Sequence, residues 1–193
     1  ILEAAITIFL QKGFDGARMQ EIADHAGINK ALLHYYFRSK EKLFAAVFEN
    51  TIKQIGPALI TFINEDIPLE VKIWKFVDQY IDLVKKFPNM PFFILNEINA
   101  NPERILRHLD FGEYVDFSKL EAQLREQHEA GHIIKVDIRH FVVNLIGMTV
   151  FPFAGKPIIQ KNLGIAQENW SQFIEERKKI IPETIMNWIR TKN

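Results

Sequence analysis

Met19-Gln20-Glu21-Ile22-Ala23-Asp24-His25-Ala26-Gly27-Ile28-Asn29-Lys30-Ala31-Leu32-Leu33-His34-Tyr35-Tyr36-Phe37 is the stretch whose reading sets the fold. Met19, Ile22, Ala23 and Ala26 fall on one apolar face of a two-turn helix. Gly27 follows as a residue free to take positive φ at that helix's end. Ile28 is apolar and suits a plug between two helices. Asn29 is a good N-cap for a second helix, because its side-chain oxygen can accept from a backbone N–H two or three residues on. Leu33 and Phe37, four apart, face inward. The expected unit is helix, tight glycine turn, helix, which is the helix-turn-helix arrangement. In that arrangement the second helix presents its first residues to base edges in the major groove. Those residues are Asn29, Lys30 and Ala31, with His34 and Tyr35 one turn later. Asn and Lys side chains can read base edges, and a small residue at Ala31 permits close approach. An ordinary three-helix bundle with a solvated basic edge has the same pattern.

Charge agrees with a local nucleic-acid edge rather than a global one. The chain of 193 residues carries 24 Lys+Arg and 24 Asp+Glu, for net zero. Within residues 29–42, however, Lys30, Arg38, Lys40 and Lys42 stand against Glu41 alone, a net excess suited to phosphates. Around this stretch the periodicity is helical almost throughout. Leu2, Ala5, Ile6 and Phe9 share a face. So do Ile73, Phe76, Val77, Tyr80, Ile81 and Val84, and again Ile138, Phe141, Val142, Leu145 and Ile146. No alternating strand bounded by hairpin turns is visible. The expected class is all-α: a three-helix DNA-binding part at 1–47, then a larger helical part at 48–193. Gly13 and Gly16 should end the first helix, and Ser39 should cap the fourth. Gly56-Pro57 and Pro182 should each kink or interrupt a helix. With 48% hydrophobic residues the chain has material for a sizeable core. It lacks cysteine, which excludes disulfides and thiolate chemistry. No apolar run approaches the ~18–20 residues of a membrane span and no leader is visible. No membrane partner and a cytoplasmic location are therefore expected. The sequence begins at Ile1 rather than Met, so a short preceding arm is expected.

The pattern Ala4-Ala5, Phe9, Gly13-Phe14-Asp15-Gly16, Met19-Gln20-Glu21-Ile22-Ala23, Ala26-Gly27-Ile28-Asn29-Lys30, Leu33-His34-Tyr35-Tyr36-Phe37 and Ser39-Lys40-Glu41-Lys42-Leu43-Phe44 resembles the N-terminal domain of the TetR family of bacterial transcriptional regulators. The likeness spans residues 1–48 in unbroken register. It implies base-edge contacts from Gln20, Asn29, Lys30 and Ala31, and packing of His34 and Tyr35 against backbone and bases. It implies phosphate contacts from Tyr36 and Lys40. Two departures stand out. Ala17 and Arg18 occupy positions where the family often has hydroxyl residues that cap the second helix. Ala17 cannot cap, and Arg18 can supply a charge contact instead. Leu32 replaces a small or hydroxyl residue; it can meet a thymine methyl or pack inward.

The resemblance also implies a ligand pocket and a two-fold interface in the larger part. An effector of largely apolar character is expected, lined by Trp74, Tyr80, Phe93, Glu97, His108, Phe111, Phe141 and Asn144. Glu97 can point inward, where burial or a cationic ligand would meet its charge, or outward into water. The dimer interface is expected on two helices, about 137–151 and 167–190, through Phe141, Leu145, Trp170, Phe173, Ile174, Ile185, Trp188 and Ile189. The partners are then double-stranded operator DNA, a small molecule and a second copy of the chain. No cofactor, metal or catalytic set is expected. The one competing motif is His128-Glu129-Ala130-Gly131-His132, which fits the zinc-protease pattern of two His at i, i+4. Gly131 is a helix terminator there, and a helix ending at Gly131 would take His132 off the shared face. A helical metalloenzyme on those residues, or a helical protein-interaction module, are the alternatives from other classes.

Overall fold

The computed structural model describes residues 1–103 and 116–191, and these are helical with no strand among them. The elements are α1 (Leu2–Gly16), α2 (Met19–His25), α3 (Lys30–Phe37), α4 (Lys40–Asn64), α5 (Leu69–Lys86), α6 (Met90–Ala100), α7 (Phe117–Glu129), α8 (Ile138–Ala154), α9 (Lys156–Leu163) and α10 (Trp170–Ile189). The chain divides into two compact units.

The first unit holds α1–α3, the start of α4, and α6. Its core is built on Ala5, Ile8, Phe9, Ile22, Ala23, Leu33, Leu43, Phe44, Val47, Phe48 and Phe93. Phe9 and Phe44 meet edge-on with ring centres 5.3 Å apart. Phe93 lies 5.6 Å from Phe44 and 6.5 Å from Phe9. That packing adds α6 to the unit, although α6 lies about 45 residues beyond the boundary expected at 47/48. Phe93, expected to line the effector pocket, is part of the core of the first unit. Glu97 lies on the same helix and is 3% exposed, so it points inward.

The second unit holds the end of α4, α5 and α7–α10. α10 packs along α5 and α8, and α8 packs against α5 and α7. Phe62, Ile73, Phe76, Val77, Ile81, Leu120, Phe141, Leu145, Ile174, Ile181, Ile185 and Ile189 are buried there. α4 runs unbroken through Gly56-Pro57, and α10 through Pro182, so neither proline ends its helix, the outcome the sequence allowed as the alternative to a kink. Pro152 likewise sits inside α8. A proline lacks the N–H that would bond the carbonyl four residues back, which leaves the Met148 carbonyl without its helical donor. The Arg177 guanidinium of α10 supplies one across the helix pair, at 3.2 Å. Lys178, next along, bridges to Asp78 at 2.8 Å and Asp82 at 2.5 Å on α5. Burial alone would pull the Lys178 ammonium down, but the two carboxylates outweigh it and lift it to about 12.

Six of the eight side chains expected at a dimer interface belong to this core. Phe141, Leu145, Trp170, Ile174, Ile185 and Ile189 are 0–8% exposed within the chain itself and cannot face a partner. The reason is the width of the apolar stripe on α10, which is consumed by packing on both α5 and α8. Of the eight, Trp188 is exposed and Phe173 half-buried.

Candidate nucleic-acid interface

Local sequence chemistry fixes α3 where the interface needs it. Gly27 takes φ +68, a conformation that costs a residue with Cβ about 1 kcal/mol or more. The chain then turns through Ile28, whose N–H donates to the Ala23 carbonyl at 3.0 Å. Asn29 caps α3: its Oδ1 accepts from the Leu32 N–H at 2.7 Å. Leu33 is the one fully buried residue of α3, so the helix sits on the core by a narrow stripe and leaves the rest of its surface open. Lys30, Ala31, His34, Tyr35 and Tyr36 are all exposed. Tyr35 and Tyr36 are 71% and 60% exposed, although Tyr is a residue that packing normally covers. Their rings meet edge-on at 5.5 Å. Leu32 is 40% exposed, so it points out rather than into the core.

α2 presents Arg18 and Gln20 at its exposed start. Gln20 is held by its own helix, with Nε2 donating to Asp24 Oδ1 at 2.8 Å. Ala17 is buried, and α2 has no side-chain cap. An ion pair at 2.7 Å between Lys12 and Glu21 ties α1 to α2, and it holds the Glu21 carboxyl below its usual range. The α3–α4 turn is made by Arg38, which takes φ 59, and Ser39, whose Oγ accepts from the Lys42 N–H at 3.2 Å as the cap of α4.

Lys40 has a second occupation. Its ammonium donates to the Asp15 carbonyl at 3.1 Å and the Ala17 carbonyl at 3.2 Å. It also lies over the Phe14 ring, 4.7 Å from its centre. It therefore closes the C-terminal end of α1, where carbonyls lack helical donors and the dipole favours a cation. The sequence offered no signal for this, since the partners lie 23–25 residues away.

The remaining expected sites divide as follows. Trp74 is half-buried, and Tyr80 and Phe141 are buried in the second unit, with burial pushing the Tyr80 hydroxyl well up. Asn144 is exposed on α8 and lines no interior. His108 and Phe111 lie outside the described residues. The zinc-protease pattern does not assemble. α7 ends at Glu129, and Gly131 takes φ +76. His128 Nδ1 then meets the Ile133 carbonyl at 3.1 Å, and His132 Nδ1 meets Gln127 Oε1 at 3.2 Å. The loop after Gly131 is tied to the end of α10 by the Ile134 N–H donating to the Ile189 carbonyl at 2.8 Å. Among the described residues no group of three or more metal-ligating side chains converges.

Comparison with known proteins follows this geometry. Residues 1–47 match the family described as bacterial regulatory proteins, tetR family. The chain is 26% identical over 188 residues to the HTH-type transcriptional regulator RutR of Escherichia coli K12, covering 96% of this chain and 88% of that protein. It is 46% identical over 58 residues to the HTH-type transcriptional repressor NicS of Pseudomonas putida, covering 30% of this chain and 27% of the repressor. Its fold matches a Clostridium perfringens protein provisionally described as a fatty acid metabolism regulator, with a TM-score of 0.72 at 21% identity over 99% and 98% of the two chains. The exposed surface of α3 and its Asn29 cap agree with these likenesses: residues 1–47 match the N-terminal domain of the tetR family of bacterial regulatory proteins, and the relatives that span most of the chain are transcriptional regulators.

Proposed function

We propose that the chain is a cytoplasmic repressor that binds a palindromic operator as a homodimer and is released by a small molecule. The observation that carries this reading is α3: one buried residue, a fixed cap, and an outer surface of Lys30, Ala31, Leu32, His34, Tyr35 and Tyr36 left open. Lys30 and Asn29 then serve as base-edge readers, Leu32 as an apolar contact for a thymine methyl, and Arg18 and Tyr36 as backbone contacts.

The second copy docks on a different face of α8 and α10 from the one the apolar stripe suggested. On α8, Val143, Gly147 and Phe151 recur every four residues; Val143 is 68% and Phe151 63% exposed. On α10, Phe173, Ile180, Thr184 and Trp188 form the neighbouring outward stripe. Arg177, bonded to the Met148 carbonyl, joins the two helices. A glycine between two exposed apolar residues allows close helix approach. Dimerisation sets two recognition helices about one DNA turn apart, ~34–36 Å or somewhat more. A ligand that favours a dimer with a different spacing weakens DNA binding, and DNA weakens ligand binding by the same factor.

Fluorescence anisotropy against DNA upstream of the chain's own gene, with random duplex as reference, tests the reading. Specific binding that vanishes in Val143→Asp/Ile180→Asp, a variant that sediments as a folded monomer, is the expected result. Equal affinity for both duplexes would overturn it.

A further inference from the structure

Lys72 is the most deeply buried cation among the described residues, at 2% exposure, in the first turn of α5. Its Nζ donates one long hydrogen bond, 3.4 Å, to the Ile63 carbonyl. Among the described residues no carboxylate lies within ion-pair distance of it. Glu65 is paired with Lys75 at 2.7 Å, and Asp66 is exposed; both act on Lys72 only through space, and Lys119 opposes them. An ammonium carries three donors, so at least two N–H groups have no described partner.

Two further polar atoms are buried beside the same turn of chain without a hydrogen-bond partner: Oδ1 of Asn64 and Oε1 of Gln123. The Gln123 amide cannot simply be reversed, because its Nε2 donates to the Ile67 carbonyl at 2.8 Å. An oxygen in that place would face another oxygen. The cluster is thus drawn from three elements. The end of α4 gives Ile63 and Asn64, the start of α5 gives Lys72, and α7 gives Gln123, all meeting the Ile63–Ile67 segment. The residues around it in sequence, Phe62, Ile63, Leu69, Ile73, Leu120 and Leu124, are buried and apolar. Unsatisfied groups in such surroundings destabilise the fold, a charged one most. A fold that keeps one spare cation and two spare acceptors along the Ile63–Ile67 segment complements a molecule with an anionic group and a donor.

We propose that Lys72, Asn64 and Gln123 bind the head group of an organic monocarboxylate that carries a hydroxyl beside its carboxylate and an apolar body. Lys72 takes the carboxylate, and the hydroxyl donates its one proton to an amide oxygen, that of Gln123. This names the chemistry of the released effector and so rests on the function proposed above, but binding and DNA release are measured separately.

The test uses the full chain in thermal-shift and calorimetric titrations with a matched series: mandelate, phenylacetate, phenylacetamide and phenethylamine, with 2-hydroxyhexanoate and hexanoate as aliphatic counterparts. The expected order of stabilisation is hydroxy acid, then plain acid, then amide, with no response to the amine. Lys72→Met should fold with at least the thermal stability of the parent and bind the acids at least tenfold more weakly. Gln123→Leu should lose the preference for hydroxy over plain acid while still binding both. If Lys72→Met fails to fold, Lys72→Gln and Asn64→Leu carry the same comparison. No stabilisation by any acid, equal binding in the Lys72 variants, or equal binding of the amine would overturn the site. Specific DNA binding without any acid effect would overturn this inference and leave the regulator standing. Acid binding without specific DNA binding would do the reverse.

Discussion

α3 and α10 use large apolar and aromatic side chains in opposite ways. α3 buries Leu33 and leaves Tyr35 and Tyr36 in solvent. α10 buries Trp170, Ile174, Ile181, Ile185, Met186 and Ile189 and leaves Ile180 and Trp188 outside. Both helices carry large apolar and aromatic side chains, yet α3 leaves most of them open while α10 buries most of them. The difference lies in how many neighbours each helix has. α3 packs by one narrow stripe, so its outer residues are readable from its own periodicity. α10 lies against both α5 and α8, so two stripes are consumed before any surface is free.

The strongest way to break that contrast is to charge the buried stripe of α10. Ile185 and Ile189 are 1% and 0% exposed. Ile185→Asp combined with Ile189→Asp puts two carboxylates into an apolar core, at a cost of about 5 kcal/mol or more. The expected outcome is loss of the cooperative unfolding transition of the second unit by circular dichroism. A folded monomer with an unchanged melting curve would return these residues to an intersubunit face.

How far the sequence could be read follows the span of each interaction. Asn29 and Ser39 were legible as caps, and they are caps, because the N–H each accepts from lies three residues away; Asp137 caps α8 over a similarly short span, accepting from the Arg139 N–H at 2.8 Å. Asp137 is also held far below the usual carboxylate range by Arg139 beside it. Gly131 as a terminator was legible for the same reason, and with it the failure of the His128–His132 pair to share a face. Phe93, Lys40 and Arg177 were not legible. Their partners lie 49, 25 and 29 residues away or comparably far, and no local pattern encodes a contact closed by tertiary packing. The buried polar set at Lys72 was invisible for the same reason. A lysine at the start of an amphipathic helix reads as solvated.

Arg177 sharpens the comparison next. Its bond to the Met148 carbonyl answers a donor that Pro152 removed. Arg177→Leu should therefore destabilise the chain by about 1–3 kcal/mol, the cost of an orphaned buried acceptor. Pro152→Ala restores the helical N–H, so in that background the same substitution should cost much less. Chemical denaturation of the four members of this cycle gives the coupling. Additive costs would mean that the guanidinium stabilises α10 by packing alone.

A smaller effect belongs to Lys178, which ties α10 to α5. Its folded-state pKa is raised from 10.5 to about 12 by Asp78 and Asp82, against burial. A raised pKa means that the stabilisation is fully present below the unfolded value, near 10.5, and is lost as pH rises through 12. Because the two aspartates are 59% and 57% exposed, screening reduces the contribution to about 1 kcal/mol. The stability gap between wild type and Lys178→Met should be constant from pH 7 to 10 and shrink above that. A gap that persists unchanged to pH 12 would assign it to the packing of the lysine stem.

The smallest expected effect is a null one, and it decides whether the open surface of α3 includes the start of α4. If Lys40 neutralises a phosphate, Lys40→Ala lowers the slope of log affinity against log salt by about 0.9. Its ammonium is already engaged with two carbonyls at the end of α1 and with the Phe14 ring. Leaving them for a phosphate would unseat that end of the helix. Holding them leaves the charge near the DNA but not in contact. The expected result for Lys40→Ala is therefore a loss of about 1 kcal/mol in stability, from charge-assisted bonds in a half-exposed setting, with the salt slope unchanged. Lys30→Ala serves as the control, because the Lys30 ammonium makes no such bond among the described residues and is exposed. It should relax sequence preference at one operator position by ~1–3 kcal/mol. A drop of about one in the slope for Lys40→Ala would show that the ammonium exchanges its carbonyls for phosphate on binding. The surface that meets DNA would then extend past the recognition helix into α4.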